Sequence, residues 1–281
     1  PIAGVLFALE VLLVEANISA FIPILIAAAS GALCSKVILQ EDILLLFKLR
    51  EPFNYLNVPY YFVLGIVCGL GSYYYSRIFI FSENYFKNVS RKWMKALVGG
   101  SLLYLLILIA PPLFGEGYNS IKSLSEMEGW AVFENSIIPL GAHSKAMLYG
   151  LLLLVILLKP FATGATIGGG GNGGNFAPSL FIGAFVGFLF SSIISDLGLA
   201  SLPISNFTLV AMAGLLSGVF HAPLTGIFII AEITGGYELI IPLMIVSALS
   251  YAVSKYFMPL SLDLLKLSEK EKIVTTNTDS Y

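Results

Sequence analysis

Apolar residues in this chain fall in long runs separated by short polar stretches, with no strand-like alternation. A short apolar piece covers residues 1–15 and a span 20–38, followed by a mixed loop at 41–57. A long span at 59–82 carries Gly65, Gly69 and Gly71, and further spans are predicted at 96–113 and 145–158. A glycine-rich loop leads into an apolar run at 179–194, and 207–219, 223–233 and 239–256 complete the series. A helix needs about 20 apolar residues to cross a bilayer. Several of these runs are shorter, and short pieces broken by Gly and Pro are what discontinuous transport helices look like. The pattern predicts an all-α, polytopic membrane protein.

Composition agrees, with 57% hydrophobic residues, 11% charged residues and a mean hydropathy of +0.89, against about 25% charged in soluble domains. The bilayer is therefore the expected partner. The net charge of −2 gives no reason to expect nucleic acid. Arg77, Lys87, Arg91, Lys92 and Lys95 mark one connection as cytoplasmic by the positive-inside rule. The acidic stretch 115–134, with Glu116, Glu126, Glu128 and Glu134 against Lys122, is expected outside, and the tail with Lys266, Lys270 and Lys272 inside again. Cys34 and Cys68 lie in apolar runs and read as two buried thiols. Tyr73, Tyr74 and Tyr75, with Trp93 and Trp130, read as interfacial aromatics. No cluster has metal-ligand spacing and no Gly-x-Ser-x-Gly occurs, so an enzyme is not expected and no cofactor is implied. The sequence opens at Pro1 inside an apolar pattern without a signal peptide, as the later part of a longer chain would.

The stretch of most chemical interest is Gly168-Gly169-Gly170-Gly171-Asn172-Gly173-Gly174-Asn175-Phe176-Ala177-Pro178, with six glycines in eleven residues. Pro178 suits the first turn of a helix. A glycine loop entering a helix offers unpaired N–H groups and a dipole end, which together attract an anion. Residues 161–254 contain no Lys or Arg, so an anion here would be held by backbone dipoles. No Gly-Lys-Ser/Thr follows, which excludes a phosphate P-loop. Taken alone, the loop also fits a flexible linker or a close helix crossing.

An internal repeat supplies the second signal. Pro1-Ile2-Ala3-Gly4-Val5-Leu6-Phe7-Ala8-Leu9-Glu10 matches Pro223-Leu224-Thr225-Gly226-Ile227-Phe228-Ile229-Ile230-Ala231-Glu232 at an offset of 222. Ile22-Pro23-Ile24-Leu25-Ile26 then matches Ile241-Pro242-Leu243-Met244-Ile245, and Ser35-Lys36 matches Ser254-Lys255, at an offset of 219. Duplicated halves with a substrate site between them are typical of transporters. Glu10 and Glu232 are costly inside a membrane. Their equivalence favours helix capping or pairing over a transport role.

Gly173-Gly174-Asn175-Phe176-Ala177-Pro178 resembles the G-G-x-F-x-P anion motif of the CLC chloride channels and chloride/proton antiporters, and the two repeat helices resemble that family's P-L-A/T-G helices. The resemblance covers residues 1–267 as the C-terminal portion of a CLC membrane domain, with 268–281 as a polar cytoplasmic tail that in such chains often leads to CBS domains. It implies an inverted-repeat helical bundle, a homodimer through the repeat helices, a multi-pass place in the cell membrane, and chloride held by the N–H groups of Asn175 and Phe176. The G-S-G-I-P and G-R-E-G-P loops of the family would lie upstream of Pro1.

Two positions depart from the antiporter pattern. The proton-relay acid expected after Glu10 is Val11, with Glu15 four residues on as a conceivable substitute. Where the family has a pore tyrosine, Pro259-Leu260-Ser261-Leu262-Asp263 places Asp263, or Ser261 in another register, as the inner-gate candidate. The reading leans to passive chloride conduction, with a chloride/proton antiporter or an unrelated inverted-repeat anion carrier as alternatives. His221, before the second P-L-T-G, is expected to be a hydrogen-bonded interhelical histidine, and His143 an interfacial one.

Overall fold

A computed structural model describes residues 2–12, 18–39, 51–134 and 144–268. The architecture is helical, and no strand occurs among the described residues. The helices are α1 (Ile2–Phe7), α2 (Ile18–Cys34), α3 (Val58–Lys87), α4 (Lys92–Ile109), α5 (Tyr118–Ser125), α6 (Lys145–Gly168), α7 (Phe176–Asp196), α8 (Ile204–Phe220), α9 (Pro223–Ile233) and α10 (Ile240–Phe257). Wider π-type turns extend α1 over Ala8–Leu12 and α2 over Ser35–Leu39. Six of the described helices are long and apolar enough to cross a membrane. The segments Ile2–Val11, Ile204–Phe220 and Pro223–Ile233 are shorter apolar helices.

The core is the crossing of α7 and α8, with α3 and α10 packed around it. In α8 every residue from Ser205 to Phe220 is buried. Glycines set the closeness of that crossing. A Cβ on Gly183 would stand 2.5 Å from the Met212 Cα, and one on Gly187 would meet the Phe207 carbonyl and Thr208 backbone. Lipid tails are as apolar as Leu, so helices in a membrane associate through such close approach.

The repeat is visible as a reciprocal contact. The Glu232 Oε1 accepts from the N–H groups of Ile2 (2.6 Å) and Ala3 (3.2 Å). Glu10 in turn accepts from the N–H groups of Leu224 (3.1 Å) and Thr225 (2.7 Å), and from the Thr225 hydroxyl (2.7 Å). Every partner is related by the same offset of 222. A carboxylate near the end of each helix reaches the start of the other, so α1 and α9 lie side by side and antiparallel. Each acid satisfies helix N-terminal donors that lipid could not.

Several elements differ from the expectation. Helix α6 does not stop at 158 but runs through Pro160 to Gly168, because packed neighbours in a membrane interior tolerate the lost hydrogen bond. The acidic stretch is no simple outer loop. Pro111–Leu113 forms a short turn, and α5 packs on α7 and α8 with Ile121 and Leu124 fully buried. Its local amphipathicity gives it an apolar face that finds the core. Cys34 faces outward, whereas Cys68 is buried as expected. Helix α2 has little protein around it, so an apolar run there does not imply a protein interior.

Candidate functional site

The glycine loop is where α6 hands over to α7. Three bonds close the end of α6: Gly169 N–H to Ala165, Gly170 N–H to Ile167 and Gly171 N–H to Thr166. Gly170 sits at φ +95°, which only glycine adopts without strain. From Asn172 to Ala177 no backbone N–H has an acceptor among the described residues, and the next bond is Ser179 N–H to the Asn175 carbonyl at 3.0 Å. Pro178 has no N–H. A run of open donors therefore coincides with the positive end of the α7 dipole.

Its depth follows from Tyr75. The Tyr75 hydroxyl donates to Asn175 Oδ1 at 2.8 Å, and both side chains are buried. Tyr75 lies 17 residues from Val58 and 12 from Lys87 in α3, or about 26 Å and about 18 Å along the axis. The start of α7 is thus well inside the helical layer. Tyr75 is consequently not an interfacial aromatic: it sits at mid-helix on the face that α3 turns to the core. The neighbouring Tyr74 donates to the Leu157 carbonyl at 3.0 Å.

A cavity of about 540 Å³ opens on the loop. Gly173, Gly174, Phe176, Ala177 and Pro178 line one side, with Lys159, Thr163, Glu116 and Tyr118 among the remaining residues. Lys159 went unnoticed in the sequence because it stands just before the stretch devoid of cations. It is 2% exposed. Its ammonium donates to the carbonyls of Gly115 (2.9 Å) and Leu113 (3.3 Å) and lies 4.2 Å from the centre of the Phe181 ring. The backbone dipoles of the loop are therefore not alone: a cation is held beside them. Only the folding back of 110–118 onto α6 reveals it.

The family profile described as "Voltage gated chloride channel" matches residues 1–255. The chain belongs to the CLC family. Among curated CLC relatives, a voltage-gated ClC-type chloride channel, ClcB of Escherichia coli, is 29% identical over 91% of this chain and 57% of its own length. An H(+)/Cl(-) exchange transporter, ClcA of Vibrio cholerae, is 25% identical over 88% of this chain and 51% of its own. Solved structures share the fold. A slow cyanobacterial Cl-/H+ antiporter superposes with a TM-score of 0.74 at 20% identity, over 96% of this chain and 60% of that one. A CLC-type fluoride/proton antiporter gives 0.70 at 22%, over 93% and 60%. The chain spans about half the length of the curated relatives it matches.

Within this CLC chain the remaining candidates separate. Phe7 of α1 meets the rings of Phe176 (5.7 Å) and Phe220 (6.0 Å), so the first repeat helix braces the start of α7. Val11 is half-buried against the core. Glu15 and His143 lie outside the described residues. Ser261 caps the helical segment 262–268, accepting from the Leu264 N–H at 3.4 Å while its carbonyl accepts from Leu265. Asp263 is half-buried. Both lie beyond the matched stretch. His221 closes α8 in the left-handed conformation (φ +57°) with its ring edge-on to Tyr251. Its Nε2 is buried without a hydrogen bond among the described residues, which corrects the expected interhelical bond: the chain reversal at 221 turns the ring toward an aromatic face.

Proposed function

We propose that the chain is the later portion of a CLC membrane domain that moves chloride, with the anion held by backbone N–H groups at Gly173, Gly174, Asn175, Phe176 and Ala177, ahead of Pro178. The observation that carries this reading is the run of donors from Asn172 to Ala177 left open at a helix start deep in the layer. Uncompensated donors in such a place are costly, and a bound anion offsets that cost. A helix dipole offers roughly half a charge, enough to attract an ion and weak enough to release it.

The mode of transport leans to passive conduction. Val11 occupies the relay position and cannot carry a proton. The alternative is chloride/proton exchange with Glu15 as the relay, favoured by the exchange-transporter description of the Vibrio cholerae relative. Asp263, with Ser261 at its cap, is the proposed inner end of the pathway. The protein is taken to work as a homodimer through the repeat helices in the cell membrane, its tail running on toward cytoplasmic domains. The test is the full-length protein in liposomes with voltage clamped by potassium and valinomycin, recording chloride efflux and external pH together. Chloride efflux without proton movement is the expected result. Uphill proton movement in fixed ratio to chloride would establish exchange, and no chloride movement at all would remove the proposal.

A further inference from the structure

We propose that the first turn of α4, with Arg91 just before it, is a docking surface for the headgroups of anionic phospholipids. Between residues 77 and 95 the chain carries five cations and a single acid, Glu83. That acid is taken by Lys266 at 2.9 Å. Arg91 and Lys92 are exposed and Lys95 is half-buried. None of the three side chains has a hydrogen bond or ion pair among the described residues. Their placement is electrostatically unfavourable twice over. Arg91 and Lys95 stand four residues apart, a spacing at which like charges repel. All three also crowd the start of α4, the positive end of its dipole, where acids are the favoured residues. An anion lying over this turn offsets both costs.

The depth of the turn selects the anion. Trp93 and Tyr85 are largely exposed beside the cations, and such rings gather at the level of lipid headgroups. From Lys92 onward α4 is long and apolar enough to cross a membrane. Its Leu97, Leu102 and Leu105 face outward, and Leu97 lies only about 7.5 Å along the axis from Lys92. The lipids that cover those leucines bring their phosphates level with the three cations, whose flexible stems reach along apolar surface. An acidic soluble protein would have to displace these same lipids. The turn also rests on a fixed base: a Cβ on Gly169 would stand 3.3 Å from both the Lys95 carbonyl oxygen and the Gly99 Cα. The positive-inside rule needs only a count of charges, whereas here three unpaired cations share one anchored turn.

The test uses the full-length protein in detergent micelles, titrated with phosphatidylglycerol or phosphatidylcholine and read by native mass spectrometry, with a melting curve for every variant. Phosphatidylglycerol is expected to be retained over phosphatidylcholine and to raise the melting temperature. The triple variant Arg91→Gln, Lys92→Gln, Lys95→Gln is expected to retain phosphatidylglycerol about tenfold less well or worse, with phosphatidylcholine unchanged and the melting shift lost. The charge-preserving pair Lys92→Arg, Lys95→Arg should keep the lipid, as should Lys122→Gln in the acidic stretch. Equal retention of phosphatidylglycerol by the unaltered protein and the triple variant would overturn the proposal, and a cytoplasmic portion of the protein covering the turn would give that result. Displacement of the lipid by inorganic phosphate at the same concentration would overturn it too, since the turn would then be a site for free anions. None of these readings depends on whether chloride binds at the glycine loop.

Discussion

Lys159 places a full positive charge in a nearly dry position and hands two of its protons to the Gly115 and Leu113 carbonyls. Charge-assisted bonds of this kind are worth about 1.5–3 kcal/mol each. Lys159→Met keeps much of the volume over Phe181 but leaves those carbonyls unpaired. Its melting temperature in detergent is expected to fall, with protease sensitivity rising at 110–118; an unchanged melting curve would show that the loop holds without the ammonium. Glycines in the loop divide in the same way. A Cβ at Gly170 meets nothing within 4 Å, so Gly170→Ala tests the φ of +95° alone and should cost about 1 kcal/mol. Gly174 also has open space but no positive φ. Gly174→Ala should leave stability unchanged, and equal effects at the two positions would refute this distinction.

At the scale of elements, α1 and α9 are joined by two carboxylates that exchange roles. Removing either acceptor leaves helix N-terminal donors without a partner, at about 1–3 kcal/mol per buried group. Glu10→Ala and Glu232→Ala should therefore destabilise by similar amounts, with the Gln variants milder because an amide oxygen still accepts. A strongly unequal pair of melting shifts would contradict the two-fold arrangement. The α7–α8 crossing has no such tolerance. Gly183→Ala forces a methyl against the Met212 backbone, and overpacking costs about 1–3 kcal/mol. Gly150→Ala, where the added carbon meets nothing within 4 Å, is the matched control.

For the whole molecule, polar contacts fix which helix ends lie together. At one end Asp196 accepts from Lys145 and from the Tyr149 hydroxyl, each at 2.6 Å, and Tyr60 donates to the Leu199 carbonyl. At the other, Lys266 pairs with Glu83 at 2.9 Å and lies over the Phe79 ring. The basic 83–95 region and the start of the tail thus share an end, and the excess of positive charge there predicts that this end faces the cytoplasm. In a background with Cys34 and Cys68 replaced by Ser, an impermeant maleimide should reach Leu197→Cys from outside intact cells and Ser90→Cys only after permeabilisation. Labelling of both from one side would discard this topology.

Sequence by itself determined the membrane class, the repeat and the helix that starts at the glycine loop. Each is written in local chemistry: apolar run length, a recurring Pro-Gly-Glu spacing, and glycines running into Pro178. It also pointed to a capping role for Glu10 and Glu232, since equivalent acids in duplicated helices suit a paired structural task. Tertiary structure alone decided what stands around the open donors. Nothing local brings Tyr75 to Asn175 or turns Lys159 toward the cavity, because both contacts depend on how α3, α6 and the 110–118 segment pack. The same limit misjudged Tyr75 as interfacial and the acidic stretch as a simple loop. Hydropathy reports the average solvent of a segment, whereas the partner of one hydroxyl or one ammonium is set by where distant helices cross.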